Sequence, residues 1–341
     1  MIIDVHAHLS PPDPARQFPM PPALADVDGM LAARAEAGID MTIIGSPAGA
    51  GAMMRVPGVD NYAQPPDRLL AFHDSKRSLV ARFPDSLRSY VYVNPLGTEE
   101  ELRAAGEVLD DEAFVGFIVN SSVRGRYLDD PRADGFFALA AERGVPVLVH
   151  PPAEPVGADV VQDFRFVEQV IRFGDVAAGL AMIAFAGWLE KYPGLTIIGA
   201  TGGGAVAALP EKLDLAAMPR SWGPPADSPV AKAPGKDLRG LYVDTAVPSQ
   251  AMLEMNTRVL GPSRMLLGTD SPLVPAPPAL AVAAVRALPI SEEEQDAVLG
   301  GNAAQIFGLG LNDGESRAVR PKRGERAMSE ERGKGLQGSK S

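Results

Sequence analysis

Eight short apolar runs recur along the chain, most of them separated by a helical pattern, and this alternation restricts the fold more than any other feature. The runs are Ile2–Leu9, Met41–Gly45, Ser89–Asn94, Phe114–Asn120, Val145–His150, Leu195–Ala200, Leu241–Asp244 and Met265–Gly268. Helical periodicity marks Ala23–Ala37, Asp67–Phe83, Glu99–Leu109, Pro131–Arg143 and part of Phe164–Tyr192. Pro277–Leu288, Glu292–Leu299 and Asn302–Phe307 complete the helical set. Strands that alternate with helices predict a parallel sheet, and eight of them in 341 residues predict a (β/α)₈ TIM barrel. An open doubly wound sheet lacks its usual signature, because Gly202–Gly204 does not have the spacing of a dinucleotide fingerprint.

The barrel is assigned to residues 1–311. From residue 312 to 341 the chain turns polar, with Gly, Ser, Lys, Arg and Glu and few apolar residues, and predicts a disordered charged tail. A formal net charge of −11 and an aromatic share of 6% argue against a nucleic-acid partner. The N-terminus has no basic region ahead of an apolar stretch, so it does not read as a signal peptide. Val176–Leu189, the most apolar helical segment, is too short to cross a bilayer. With no cysteine, the chain has neither disulfides nor thiolate ligands, which fits a cytoplasmic setting.

Any metal must therefore be held by nitrogen and oxygen. The stretch MIIDVHAHLS ends the first strand with His6 and His8, two residues apart and so on one face. His150 is the last residue of the fifth strand, ahead of Pro151, and Asp270 closes the eighth. Active sites of (β/α)₈ barrels lie at the carboxyl ends of the strands. Three of the four histidines and one carboxylate fall there, a set suited to Zn²⁺, or to Mn²⁺ or another divalent ion. Taken singly, each of these histidines also reads as a satisfied core or surface residue.

The segments Ile3–His8, Val147–Pro151, Gly202–Gly204, Tyr242–Thr245, Gly268–Pro272 and Gly301–Phe307 occur in an order that resembles the amidohydrolase superfamily. The likeness is to the amidohydrolase-2 branch, which includes aminocarboxymuconate-semialdehyde and γ-resorcylate-type decarboxylases, and it runs from Ile2 to about Leu309. It implies a metal-dependent enzyme acting on a small molecule, and a homodimer. The branch usually carries a histidine just before the glycine triplet, as general acid/base or ligand. Here Thr201 fills that slot, and a threonine hydroxyl does not titrate near neutral pH.

Three functions follow. The resemblance implies non-oxidative decarboxylation of a small carboxylic acid, with the metal chelating the substrate and Asp270 moving the proton. Hydrolysis of a lactone or amide is the alternative, because Asp270 as base towards a water makes it less dependent on the missing histidine. Thr201 keeps open a redirected or ligand-binding barrel. His73 is a further proton-transfer candidate, or else a solvated helix residue. Asn120 at the fourth strand's end is placed to bind substrate or to cap its turn. Arg16 and Arg55 lie in loops on the presumed active face, where one could grip a carboxylate. Asp244 either serves the site or anchors a loop.

Overall fold

The apolar runs build one eight-stranded parallel sheet in chain order: β1 (Ile3–His8), β2 (Met41–Gly45), β3 (Leu87–Tyr92), β4 (Phe114–Asn120), β5 (Pro146–His150), β6 (Thr196–Gly199), β7 (Tyr242–Asp244) and β8 (Met265–Leu266). The ring closes where Val5 N–H reaches Leu267 O at 2.9 Å and His8 N–H reaches Ser271 O at 2.9 Å. The result is a (β/α)₈ TIM barrel. It was obtained as a computed structural model, which describes residues 1–10, 21–56, 58–218 and 233–310. One compact unit spans Met1–Phe307; of a second, Gly308–Ser341, only residues 308–310 are described. Arg16 and the stretch 312–341 lie outside the described residues. No helix among the described residues is long and apolar enough to cross a membrane.

Every residue of β1, β2, β4 and β5 is buried. Helices cover one face and the barrel interior the other, which is why these strands read as near-continuous apolar runs. Helix ends follow local chemistry. Thr98 and Glu101 form a capping box that starts the helix Glu99–Val108. Gly144, at φ 61°, ends the helix Asp134–Arg143 in the left-handed conformation that favours glycine.

Some boundaries differ from expectation. The third strand begins at Leu87 rather than Ser89 and ends at Tyr92 rather than Asn94. Asn94 leaves it because its carboxamide accepts Leu96 N–H and donates to Tyr62 O. The eighth strand stops at Leu266, since Gly268 N–H turns aside to Thr245 Oγ1 at 3.1 Å. The helix Gln250–Val259 has no counterpart among the expected elements; Ser249 caps it through Met252 N–H.

The floor of the barrel is polar. Asp4 accepts hydrogen bonds from His6 N–H (3.1 Å), Thr269 N–H (3.1 Å) and Thr269 Oγ1 (2.7 Å), and pairs with the buried Arg34. Arg34 also donates to Thr42 Oγ1 at 2.7 Å. Removing one partner of such a buried pair strands the other charge, at a cost of about 3–5 kcal/mol.

After β6 the chain makes a left-handed turn. Thr201, Gly202, Gly203, Gly204 and Ala205 all have φ between 50° and 74°. Only glycine adopts this conformation without steric cost. A Cβ on Gly204 would lie 2.3 Å from Phe173 O and 2.7 Å from Ala177 N, both backbone atoms. Gly204→Ala is therefore expected to lower unfolding free energy by about 3 kcal/mol, from conformation plus clash. Gly38 has φ +72° and open space around it. Gly38→Ala should lose only about 1 kcal/mol. Equal losses in urea unfolding would contradict the backbone clash.

Candidate metal centre

Four side chains meet at the carboxyl ends of β1, β5 and β8. His6, His8, His150 and Asp270 each offer a ligand atom, and these atoms lie within 4.8 Å of one another. The three imidazoles stand edge to face, with centroids 4.9–5.1 Å apart. Alternation along β1 sends His6 and His8 inwards together. Asp270 reaches the cluster from the turn after β8, where it holds φ 51°. Its backbone N–H donates to His6 O at 2.8 Å, which fixes that turn against β1.

Each imidazole is oriented by its Nδ1. His6 Nδ1–H donates to Asp244 Oδ2 at 2.5 Å, His8 Nδ1–H to Gly45 O at 3.0 Å, and His150 Nδ1–H to Pro151 O at 2.9 Å. In the neutral tautomers so defined, all three Nε2 lone pairs face the centre. His6 Nε2 and His8 Nε2 are 3.2 Å apart, and His8 Nε2 is 3.0 Å from Asp270 Oδ1. His150 Nε2 and Asp270 Oδ1 are buried and have no hydrogen-bond partner among the described residues. Converging lone pairs repel unless a proton or a cation stands between them. The donor set fits a divalent ion: three nitrogens and a carboxylate, with no sulfur.

The electrostatics of His6, His150 and Asp270 agree. Burial opposes charge on His6, but the Asp270 and Asp244 carboxylates outweigh it and raise His6 to about 9. Without a cation His6 thus carries its second ring proton at neutral pH. Burial, then the charges of His6 and His8, push His150 well below the ordinary imidazole range. Burial pushes Asp270 up, yet His6 and His8 overcome it and hold the carboxyl at about 2.

Asp244, left between two roles by the sequence, has a defined one. Besides His6 it accepts Gly202 N–H at 2.7 Å and Ala246 N–H at 3.1 Å, so it joins the histidine to the glycine turn. Thr201 begins that turn, and its hydroxyl is buried without a partner among the described residues. Asn120 ends β4 in register with His150.

His73 belongs neither to the cluster nor to solvent. It is 2% exposed, its ring packs against Phe72 and Phe114, and its Nε2 accepts Tyr92 N–H at 3.2 Å. Burial, then the charges of Arg77 and Lys76, lower it to about 4. It is a helix-to-sheet packing residue, because Tyr92 N–H turns outward to meet it. Lys76, one turn on and fully buried, donates to Leu9 O beside the exit of β1. Arg55 stands on the rim, 78% exposed and 3.8 Å from Glu154. With Tyr62, Arg124 and Phe164 it lines a cavity of about 740 Å³ between loops, and the four clustered residues are not among its walls.

Arg172 and Asp175 were missed by sequence reasoning. Arg172 donates from Nε to Pro152 O at 3.2 Å and from Nη2 to Met53 O, and pairs with Glu168. It clasps the loop after β2 to the loop after β5. Asp175 accepts from Ser121 Oγ, Ser122 Oγ (2.9 Å) and Val156 N–H (2.8 Å). Two charges three apart inside an apolar helical run were the available signal.

The amidohydrolase family model (Amidohydro_2) matches residues 3–309. The chain belongs to the amidohydrolase family. Among its relatives, the 2-amino-3-carboxymuconate-6-semialdehyde decarboxylase of Dictyostelium discoideum is 24% identical over 217 residues, covering 63% of this chain and 59% of that protein. The chain thus matches about three fifths of that relative's length. A 5-carboxyvanillate decarboxylase from Sphingomonas paucimobilis has the same fold, with TM-score 0.73, 21% identity, and 90% and 98% of the two chains covered. So does a dihydroxybenzoic acid decarboxylase from Polaromonas sp. JS666 with bound manganese and the inhibitor 2-nitroresorcinol (TM-score 0.70, 19% identity, 92% and 98% covered).

In this amidohydrolase the Asp244 carboxylate is one of the charges that keep His6 protonated. Asp244→Asn should lower the His6 pKa in metal-free protein by roughly one to three pH units, read from imidazole NMR shifts. An unchanged titration would mean that Asp244 does not act on His6 electrostatically.

Proposed function

We propose that this amidohydrolase is a metal-dependent carboxy-lyase that releases CO₂ from a small carboxylic acid. The observation that carries the metal reading is the convergence of three Nε2 lone pairs and the Asp270 carboxylate, with every Nδ1 already committed. The choice of reaction is supported by the decarboxylases among the relatives. His6, His8, His150 and Asp270 would hold the ion, zinc or manganese. When bound, it would supply a Lewis acid towards the substrate's carboxylate.

The chain's own residues do the rest. Asp244, Gly45 O and Pro151 O hold the Nδ1 side of the three imidazoles, so that the rings are fixed in direction and would present Nε2 to the ion. Partners of this kind typically alter metal affinity 10–100-fold when removed. Asp270, ionised across the physiological range, would take a proton from water at a carboxylate oxygen and deliver it to the carbon as the bond to CO₂ breaks, that bond's electron pair forming the new C–H bond. Arg172 holds two loops together across the barrel mouth and so limits water at that carbon. Thr201 offers no titratable group, so proton transfer falls to Asp270. The same economy favours hydrolysis of a lactone or amide as the second reading, with Asp270 as base.

Two measurements test this. Titration of metal-free protein with Zn²⁺ or Mn²⁺ should release about one proton per ion at pH 7, because the ion displaces the proton on His6. Affinity should then rise about tenfold per pH unit between pH 6 and 8, since fewer sites remain protonated. A pH-independent affinity would contradict the assignment. Metal-loaded protein should liberate CO₂ from a panel of hydroxy- and amino-aromatic acids, and Asp270→Asn with metal content restored should be slower by about 10²–10⁴-fold. Turnover of lactones or amides without CO₂ release would select hydrolysis instead.

A further inference from the structure

A cavity of about 390 Å³ opens at the amino ends of β6, β7 and β8, the end of the barrel away from the metal centre. Leu189 and Leu195 line it ahead of β6, Tyr242 is the first residue of β7, and Arg264 directly precedes β8. Lys236 and Asp237 come from the short helix Pro234–Arg239. Because β7 runs only from Tyr242 to Asp244, the cavity and the His6 ring stand at opposite ends of one strand.

The charges in this wall are unpaired. The Arg264 guanidinium lies over the Tyr242 ring, 4.8 Å from its centroid, where cation–π attraction holds its plane and leaves its N–H groups for another partner. Neither Arg264 nor Lys236 forms an ion pair or a side-chain hydrogen bond among the described residues. On the same helix, by contrast, Arg239 pairs with Glu211 at 2.5 Å. Asp237 Oδ2 is buried and has no hydrogen-bond partner among the described residues. Burial, then the charge of Glu190, raise this carboxyl above its ordinary range, against the pull of Lys236. A buried oxygen of this kind is unfavourable until a donor reaches it. Arg264 and Asp237 share the cavity without pairing with each other.

We propose that this cavity binds an α-amino acid with an apolar side chain, its carboxylate on Arg264 and Lys236 and its ammonium on Asp237. The walls select that class. An inorganic anion satisfies the two cations and leaves Asp237 Oδ2 bare, and a simple amine does the reverse. A zwitterion meets both at once, through charge-assisted hydrogen bonds, which are the stronger ones. Leu189 and Leu195 offer an apolar wall to its side chain. The site is independent of the metal centre and of the reaction carried out there.

The test is calorimetric titration of full-length, metal-loaded protein with L-leucine and two fragments of it. One is 4-methylpentanoate, which lacks the amine, and the other is 3-methylbutylamine, which lacks the carboxylate. Wild type should bind leucine at least about tenfold more tightly than either fragment. Asp237→Asn should remove the preference over 4-methylpentanoate, whose own binding stays within about threefold. Arg264→Gln should weaken leucine and 4-methylpentanoate by about tenfold or more and leave the amine within about threefold. Lys236→Gln, at an exposed position, should weaken the same two ligands at least about threefold, and it serves as the second variant should Arg264→Gln disturb the fold. Equal binding of leucine and 4-methylpentanoate by wild type would make this a plain anion site and overturn the proposal. Leucine affinity that survives both Asp237→Asn and Lys236→Gln, or the absence of leucine binding at about 10 mM, would overturn it as well.

Discussion

The Asp244 carboxylate is the interaction on which the site depends. One oxygen takes the proton of His6 Nδ1; the other receives Gly202 N–H and Ala246 N–H. Three chain segments, β1, the turn after β6 and the exit of β7, are thereby set by one buried group. Asp4 does the equivalent work below, joining β1 to the segment after β8 through His6 N–H and Thr269. Between these two acids the β1 histidines have little freedom. Gly268 lets the strands close around them, for a Cβ there would sit 2.8 Å from Asp244 Cβ and 3.1 Å from His6 Cβ.

This arrangement collects electron pairs in a place without water's dielectric. Each orienting bond leaves one more lone pair aimed at the centre, and Asp270 adds a negative charge. Protonation of His6 relieves the repulsion in the metal-free protein, and a divalent ion relieves it more completely. Strain accompanies the arrangement. Both Asp270 and Thr201 occupy the left-handed region, which is more unusual for β-branched threonine than for aspartate. Such conformations persist where surrounding structure enforces them, commonly at functional sites.

The local parts of this architecture were legible in the sequence, and the distant parts were not. Strand alternation and stops such as Pro151 placed His6, His8, His150 and Asp270 at strand ends, because period and punctuation are local properties. The helix Gln250–Val259 was legible in principle through Ser249, yet its short apolar pattern was not read. His73 could not be placed from its neighbours, since its partner Tyr92 N–H lies 19 residues away. Arg172 reaches Met53 across 119 residues, a contact that only the closed barrel creates. The glycine triplet read equally well as a simple turn or a ligand cradle; its bond to Asp244 gives it a structural task. Asp244 itself had two roles open to it until the ring closed and brought β1 alongside β8.

The central claim is that these four side chains hold one divalent ion. Anomalous diffraction at a zinc or manganese absorption edge from crystals of metal-loaded protein tests it directly. The account predicts one strong peak about 2.0–2.2 Å from Nε2 of His6, His8 and His150 and from an Asp270 carboxylate oxygen. A fully loaded crystal with no peak among these four residues, or with its peak elsewhere on the chain, would contradict it.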